Sequence, residues 1–483
     1  GTAVLAAPQP SASLAHFKHR ARTQPRSLYQ SNHTTTYMDI LSIVAAMVVL
    51  TLSILGLSLF LLTARKRLVP QGDIEIRING GAENGGKTII SQPGGKLLSA
   101  LSGNGLFLPS ACGGGGTCAQ CRCQVDAGGG DILPTELNHI SRKQAQENWR
   151  LACQVNVRGS MDIRVPAELM DIKKWECTVV SNYNVASFIK EFVVQLPEGE
   201  SLHFEPGGYI QIDVPAITCK FEDMDITAHP EHHSDNPQKF QSEWDHNKMW
   251  PLVMKNDTPT YRAYSMANHP AEGNIVMLNI RIATPPFKFK EVDGKRQWDG
   301  YQDVNPGVCS SYVFTRKPGD KVMVSGPYGE FHIKPTKKEM VYIGGGAGMA
   351  PLRSHLFHLF HTLKTTDRKV SFWYGGRTRR ELFYIEQFRQ IEKDFPNFKF
   401  YVSLDNPLPE DNWQIKENID AQGDGFKGFI MPVLYEQYLK NHPEPEDIEY
   451  YFCGPPMMNQ SVIKTLDQLG VPQENIAFDD FGG

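Results

Sequence analysis

The segment from Ile40 to Leu62 constrains the fold most, because it carries no charged side chain and is rich in Leu, Ile and Val. As a helix it would be about 35 Å long, enough to cross the hydrocarbon core of a bilayer. A signal peptide has a shorter apolar region followed by a small-residue cleavage site, whereas Arg65-Lys66-Arg67 follows here. We therefore predict a transmembrane helix over residues 39–64, with the chain beyond this basic stop on the cytoplasmic side.

The residues before this helix contain Lys and Arg but no Asp or Glu over 1–38. That composition resembles an organelle transit segment. Met38 directly precedes the apolar run, as an initiator would. We therefore expect residues 1–38 to be an unstructured or non-native head.

The composition narrows the class of protein. A chain of 483 residues, with 41% hydrophobic and 21% charged residues, has enough apolar material for about three domains. Its formal net charge of −4 gives no general attraction to nucleic acid, so we expect no nucleic-acid partner. The nine cysteines are too few for a disulfide scaffold, and four of them lie in one pattern that indicates metal in a reducing compartment.

Three strand patterns follow the apolar segment. Strict alternation from Asp73 to Ile78 predicts a half-buried strand in a small α+β domain. Later strands are short and broken by Pro and Gly, which is typical of an antiparallel barrel. They are predicted at Cys177–Val180, Ile189–Leu196 and Tyr209–Val214. From Met340 strands and helices alternate, which predicts a doubly wound parallel sheet. The three predicted domains span residues 72–166, 171–335 and 336–483.

Cys112, Cys118 and Cys121 form a C-x5-C-x2-C motif with four glycines inside it, and Cys153 supplies a later thiol. Iron–sulfur clusters need thiolate ligands, and glycines let backbone N–H groups approach the cluster sulfurs. A zinc ribbon instead pairs two short C-x2-C knuckles. The spacing therefore predicts a [2Fe–2S] cluster on these four cysteines, with Cys123 as an ordinary buried residue.

Two further segments offer groups that could bind different parts of the same nucleotide ligand. Arg262-Ala-Tyr264-Ser265 offers a guanidinium for a diphosphate and a flat ring for an isoalloxazine. A later segment of small residues at a helix start offers N–H groups for pyrophosphate oxygens. This second segment is Gly307-Val308-Cys309-Ser310-Ser311. Either segment alone would favour an ordinary strand end and a turn.

A glycine loop follows the strand Met340–Ile343 and opens a helix, as a pyrophosphate site requires. Its sequence is Gly344-Gly345-Gly346-Ala347-Gly348-Met349-Ala350-Pro351. The last strand is followed by Cys453-Gly454-Pro455, which alone would indicate only a strand-end turn.

Together these motifs resemble the ferredoxin–NADP reductase superfamily. The resemblance implies FAD bound by Arg262, Tyr264 and Ser265, with Gly307, Cys309 and Ser310 on the pyrophosphate side. It implies a nicotinamide nucleotide on the glycine loop (Gly344, Gly345, Gly346, Gly348, Pro351) and on Cys453 and Gly454. It also implies that Phe481 covers the flavin, and that Cys453, Ser310, Tyr264 and Phe481 shape the geometry of hydride transfer.

The order of the parts is more specific. An apolar helix, a ferredoxin-like domain, a flavin domain and a nucleotide domain ending in Phe-Gly-Gly resemble the family of F subunits of the Na+-translocating NADH:quinone oxidoreductases. The resemblance implies NADH as donor, the other subunits of that complex as partners, ubiquinone as final acceptor and a location in the bacterial inner membrane. The departures are the acid-poor head and the extra Cys123.

Two alternatives remain. A membrane-tethered reductase feeding an oxygenase would use the same modules. A non-enzymatic metal-binding scaffold would use His229, His232, His233 and His246, but these lie in a polar, aperiodic excursion over residues 216–260 that we expect to be a solvated loop.

The choice between NADH and NADPH also stays open. Arg377, Arg379 and Arg380 could hold a 2′-phosphate or be solvated charges at a helix start.

Overall fold

The computed structural model describes residues 33–68 and 72–481, which fall into two units. The described part of the first unit is one helix, α1 (His33–Leu68). Its stretch Ser42–Leu61 has a mean hydropathy of 2.6 and exposed side chains, so its length and composition suit a membrane span. The helix extends beyond both ends of the predicted range 39–64. Residues 1–32 of the predicted head lie outside the described residues, and residues 33–38 belong to α1.

The second unit begins with a five-stranded mixed sheet in the order β2-β1-β5-β3-β4. Ile74, Ile76 and Ile78 of β1 are buried as the alternating sequence predicts, and α2 packs its leucines into the same core. This arrangement is the expected β-grasp-like α+β domain. Its elements are β1 (Ile74–Ile78), β2 (Lys87–Ser91), α2 (Leu97–Gly103), β3 (Arg122–Ala127), α3 (Pro134–Leu137), α4 (Arg142–Gln146), β4 (Trp149–Leu151) and β5 (Met161–Arg164).

A six-stranded antiparallel sheet follows, in the order β11-β8-β15-β6-β7-β12. An isolated bridge from Met266 to Leu278 links the two edges of this sheet, so the antiparallel strands of the predicted barrel are present but their ladder is not closed there. The elements of this domain are β6 (Lys173–Ala186), β7 (Ile189–Gln195), β8 (Tyr209–Val214), β9 (Ile217–Lys220), α5 (Gln241–His246), β10 (Val253–Asn256), β11 (Thr260–Ser265), β12 (Ile275–Arg281), β13 (Phe287–Val292), β14 (Lys295–Tyr301), α6 (Val308–Phe314) and β15 (Lys321–Tyr328).

The excursion over residues 216–260 does lie between two strands of this sheet, but the expectation of a solvated loop is wrong. It contains the β9–β10 hairpin and α5, and its irregularly spaced Phe221, Trp244 and Met254 belong to the barrel core. Its polar groups also have internal partners, since the Trp244 indole donates to the Ser187 carbonyl at 2.7 Å. A periodicity argument misses such a segment, because the anchors follow neither a helical nor a strand repeat.

The last domain is a parallel sheet in the order β19-β18-β17-β16-β20-β21. Met340 and Tyr342 of β16 enter one core while Val341 and Ile343 enter another, so both faces are covered as the continuous apolar run predicts. The elements are β16 (Met340–Gly345), α7 (Met349–Phe357), β17 (Val370–Gly376), α8 (Ile385–Asp394), β18 (Phe398–Leu404), β19 (Phe426–Lys427), α9 (Ile430–Gln437), β20 (Glu449–Cys453), α10 (Pro456–Gln468) and β21 (Ile476–Asp479).

Candidate functional site

The four predicted ligand cysteines form two pairs of thiols. Cys118 Sγ donates to Cys112 Sγ at 3.3 Å, and the Cys121 and Cys153 thiols are hydrogen-bonded to each other. The hydrogen bond from the Cys118 thiol, together with backbone N–H groups of Gly116, Thr117 and Cys118, lowers the pKa of Cys112 to about 3. All four are free of disulfides. Two thiol pairs suit the two irons of a [2Fe–2S] cluster, with one pair for each iron.

The loop that joins these thiols, residues 110–121, is called the cluster loop below. Gly113, Gly114 and Gly116 have φ values of 64°, 90° and 82°, which side chains adopt only with strain. This backbone directs the N–H groups of Gly116, Thr117 and Cys118 at Cys112 Sγ. Such donors stabilise a thiolate, so the residues present fit an iron–sulfur cluster.

The flavin motif lies on β11, an edge strand of the barrel. The Arg262 guanidinium bonds only neutral acceptors, the Tyr261 carbonyl at 2.7 Å and Thr260 Oγ1 at 3.0 Å. Among the described residues no carboxylate forms an ion pair with it, which leaves its charge for an anion. The Tyr264 ring is half-buried against the barrel core. A free guanidinium beside a partly exposed ring fits the diphosphate and ring system of FAD.

The second flavin segment is tightly packed. A Cβ on Gly307 would lie 2.6 Å from Ala283 Cβ, so a larger residue does not fit. Cys309 is buried with its thiol bonded to the Tyr264 hydroxyl, and burial raises the pKa of the thiol to about 12. Ser310 Oγ accepts the Ala283 N–H at 3.1 Å and donates to the Gly307 carbonyl. The Ser310 hydroxyl therefore holds its own turn together.

The glycine loop and the Cys453-Gly454 segment touch each other at the carboxyl edge of the parallel sheet. Gly344 is paired with Cys453 across β16 and β20, and a Cβ on Gly348 would lie 2.0 Å from the Cys453 carbonyl oxygen. Gly346 has a φ of 55°, and Gly345 lies against Pro455. α7 begins at Met349, so Pro351 falls in its first turn. The backbone is thus free of side chains where a dinucleotide pyrophosphate would approach.

One residue of this site was missed by the sequence reasoning. Asp479 lies beside Cys453 across β20 and β21, and Ser265 Oγ donates to its Oδ2 at 2.5 Å. Burial raises the pKa of Asp479, and burial together with the charges of Asp479 and Asp480 raises that of Cys453. The hydrogen bond joins the flavin motif to the nicotinamide motif. No local pattern could reveal a pair so far apart in the chain.

Phe481 lies two residues beyond the end of β21 and is 46% exposed. Its ring is therefore available at the end of the strand that carries Asp479.

A buried ion pair fixes the two nucleotide motifs relative to each other. Arg353, two residues after Pro351, bonds both oxygens of Glu272 at 2.7 and 2.9 Å and the Ala267 carbonyl at 2.8 Å. Ala267 lies two residues after the flavin motif on β11. The helix that starts at the glycine loop is thereby bound to the end of the flavin strand.

The four histidines of the metal-scaffold alternative do not form one site. His246 is exposed, while the His233 ring is bonded to the Val185 carbonyl. His229 Nδ1 accepts the Glu231 N–H, so its Nε2 carries the proton and faces Glu191 at 3.1 Å.

The remaining histidine, His232, is stacked on His229 at the same carboxylate, whose other oxygen accepts the Tyr384 hydroxyl. The group therefore joins the barrel to the nucleotide domain through hydrogen bonds. Two of the four histidines, His229 and His232, also bring possible metal-ligand atoms within 4.8 Å of one another, together with Glu191.

Two of the three candidate phosphate arginines have partners. Arg380 is paired with Glu243 of α5 at 2.5 Å, and Arg379 donates to the Asp411 carbonyl at 3.1 Å. Arg377 is exposed.

Comparison with known proteins agrees with this geometry. Residues 82–158 match the 2Fe-2S iron-sulfur cluster binding domain, and residues 342–464 match the oxidoreductase NAD-binding domain. The fold is similar to the Amycolatopsis cytochrome P450 reductase GcoB (TM-score 0.54, 22% identity, 84% of this chain and 98% of that one). It is also similar to the ferredoxin reductase in carbazole 1,9a-dioxygenase (TM-score 0.50, 22% identity, 85% and 99%). These likenesses concern the fold alone.

Sequence relatives are more specific. The chain is 52% identical, over 92% of its length and 100% of the relative's, to the F subunit of the Na(+)-translocating NADH-quinone reductase of Neisseria meningitidis. It is 53% identical to the protein of the same name from Haemophilus ducreyi, over 90% of this chain and 97% of that one. The chain therefore belongs to the family of F subunits of the Na(+)-translocating NADH-quinone reductases.

Proposed function

We propose that this chain takes hydride from NADH onto FAD and passes single electrons to a [2Fe–2S] cluster, as the electron-input subunit of a membrane Na+-translocating NADH:quinone reductase. One observation carries the proposal: within one compact unit the flavin strand contacts both the cluster loop and the strand β21, which lies beside the Cys453 segment. Gly113 touches Arg262, and Ser265 bonds Asp479 beside Cys453. Three separate modules would not need these contacts.

The chain's own residues bind and align the two nucleotides. The glycine loop leaves room for the dinucleotide backbone, and Arg262 offers its charge to the flavin diphosphate. Cys453 stays a neutral thiol, because burial and the nearby carboxylates hold its pKa far above its usual range, so it shapes the pocket and does not act as a nucleophile. When bound, FAD accepts the hydride and releases its electrons one at a time.

Asp479 and Ser265 are placed to hold a proton at the junction of the two motifs. Burial favours the protonated form of Asp479, and the Ser265 hydroxyl donates a hydrogen bond to its carboxyl group. Cys112, Cys118, Cys121 and Cys153 would hold the cluster, which supplies one-electron transfer when bound.

The finer assignments follow from the family. The apolar helix α1 would anchor the chain once in the bacterial inner membrane, with the catalytic domains in the cytoplasm and the basic stop after the helix. The other subunits of the complex would be its partners and ubiquinone the final acceptor. The Glu243–Arg380 ion pair supports NADH over NADPH, because it neutralises one candidate 2′-phosphate ligand.

The Cys112→Ala variant tests the linear order of electron flow. NADH should still bleach the flavin, while the cluster signal and onward electron transfer disappear. Loss of flavin reduction as well would contradict the order from FAD to cluster.

A membrane-tethered reductase for an oxygenase is the competing function, since it would use the same cluster-binding and nucleotide-binding modules. Detergent extraction of native membranes separates the two. Co-purification with integral quinone-reducing subunits supports our proposal, and co-purification with an oxygenase contradicts it.

A further inference from the structure

The cluster loop rests on the flavin strand through a backbone contact. A Cβ on Gly113 would lie 2.2 Å from Arg262 Nη1 and 2.6 Å from the Tyr261 carbonyl oxygen. Both distances are far below van der Waals contact, so any side chain at residue 113 would push β11 away. Gly113 directly follows the ligand Cys112, and Arg262 belongs to the flavin motif. This contact therefore joins the residue that follows a cluster ligand to a flavin residue.

Tyr261 strengthens this contact from the other side. It lies on β11, yet its ring packs against the core of the ferredoxin-like domain. Its hydroxyl is hydrogen-bonded to Ser110, whose Oγ accepts the Gly114 N–H at 2.9 Å and lies 3.9 Å from Cys112 Sγ. The side chain of Tyr261 thus reaches from the flavin strand into the loop that carries the first ligand cysteine.

The rest of the interface is small. Tyr209 of β8 donates to Gln120 Oε1 at 3.0 Å, and the same oxygen accepts the Ala111 N–H of the cluster loop. A short apolar seam adds Phe107 and Leu169 of the ferredoxin side, packed around the buried group Ile172, Tyr209 and Tyr328. Among these contacts, those of Gly113, Tyr261 and Gln120 involve the cluster loop itself, so they hold that loop against the barrel.

We infer that Gly113 and Tyr261 are positioning residues for electron transfer, and that they set the distance from flavin to cluster by seating the cluster loop on β11. In the step concerned, one electron leaves the reduced flavin and enters the oxidised cluster. No bond forms or breaks, and NADH has supplied the electron. The inference rests on the proposed function and adds the residues that fix the docked geometry.

The Gly113→Ala variant of the full, cofactor-loaded chain tests this. NADH should bleach the flavin at the wild-type rate, while the following reduction of the cluster slows by at least about tenfold, since small misplacements of reacting groups cost this much or more. The EPR line shape of the reduced cluster should be unchanged. Hydrogen exchange in the oxidised protein should be faster at residues 111–114 and 261–263 before any NADH is added.

Two glycines of the same loop are matched controls. Gly115 is exposed, and a Cβ there makes only ordinary contacts, the nearest 3.5 Å from the Cys112 carbonyl oxygen, so Gly115→Ala should behave as wild type. Gly114 has a φ of 90° but no close neighbour, because its nearest contact is Leu98 Cδ2 at 3.6 Å. The Gly114→Ala variant therefore measures the effect of backbone strain in the cluster loop without the contact to β11, and cluster reduction should slow less in it than in Gly113→Ala.

Tyr261→Phe keeps the test valid if Gly113→Ala fails to assemble its cluster, because this change lies outside the cluster loop. It removes one hydrogen bond, so cluster reduction should slow by roughly two- to tenfold, with flavin reduction unchanged. If both variants show the wild-type rate of cluster reduction and wild-type hydrogen exchange, the inference is wrong while the proposed function stands. A wild-type chain whose flavin NADH does not bleach, or that holds no iron, would overturn the proposed function instead.

Discussion

The buried ion pair between Arg353 and Glu272 should hold the nicotinamide loop in register with the flavin strand. The Arg353 side chain is 3% exposed and that of Glu272 23%. Glu272→Gln keeps the shape but replaces the carboxylate with a neutral amide, so the buried guanidinium loses its counter-charge. Breaking a fully buried pair costs about 3–5 kcal/mol, and the partial exposure of Glu272 reduces this to about 2–4 kcal/mol.

This loss should appear as a melting temperature lower by roughly 5–12 °C, since a domain of this size loses a few degrees per kcal/mol. Flavin reduction by NADH should slow as well. Although burial acts to raise the pKa of Glu272, the hydrogen bonds and charge of Arg353 lower it overall. The ion pair therefore stabilises the fold at pH values above the pKa that Glu272 has in the unfolded chain. This stabilisation is lost as the pH falls through the lower pKa that Glu272 has in the folded chain.

Differential scanning calorimetry and stopped-flow flavin bleaching are the assays. The matched control is Glu222→Gln, which removes an exposed carboxylate paired with Lys220 and should change little. If Glu272→Gln melts at the same temperature as the control and oxidises NADH at the same rate, the ion pair does not fix the two motifs.

Three further changes test the site. Gly348→Ala places a methyl against the Cys453 carbonyl and should abolish NADH binding with FAD retained, as NADH titration and flavin absorbance would report; normal binding contradicts the close contact. Asp479→Asn should make the fold more stable than the wild type, increasingly so as the pH rises from about 3.8 towards the raised pKa of folded Asp479, because burial opposes ionisation of the wild-type carboxyl. Melting curves against pH check this, and a difference between variant and wild type that does not change with pH refutes it. Glu243→Gln removes the nearer carboxylate partner of Arg380 and leaves Glu381 at 3.7 Å, so it should raise kcat/KM for NADPH but not for NADH; an unchanged ratio contradicts a phosphate role for Arg380.

Local patterns predicted much of the fold. Tyr209–Val214 was predicted and observed with the same ends, because its apolar residues lie between clear breakers. The strand predicted at Cys177–Val180 instead runs from Lys173 to Ala186, since two register shifts in its pairing with β7 interrupt the alternation. The β13–β14 hairpin, with its exposed aromatic residues, was not predicted at all.

The candidate site also has parts that local sequence can indicate and parts that it cannot. Motif chemistry selects the cysteines, the flavin segment and the glycine loops, because each is contiguous in the chain. Contacts between distant segments could not be predicted, and these include Asp479 with Ser265, Arg353 with Glu272 and Gly113 with Arg262. They depend on how the domains pack, which no local period encodes.

The most direct test of the account is freeze-quench EPR combined with stopped-flow absorbance on the purified full chain after one addition of NADH. The account predicts two irons per chain, flavin bleaching first, and then a reduced [2Fe–2S] signal that is absent from protein stripped of FAD. A cluster that NADH reduces equally fast without flavin, or a folded chain without iron, would contradict it.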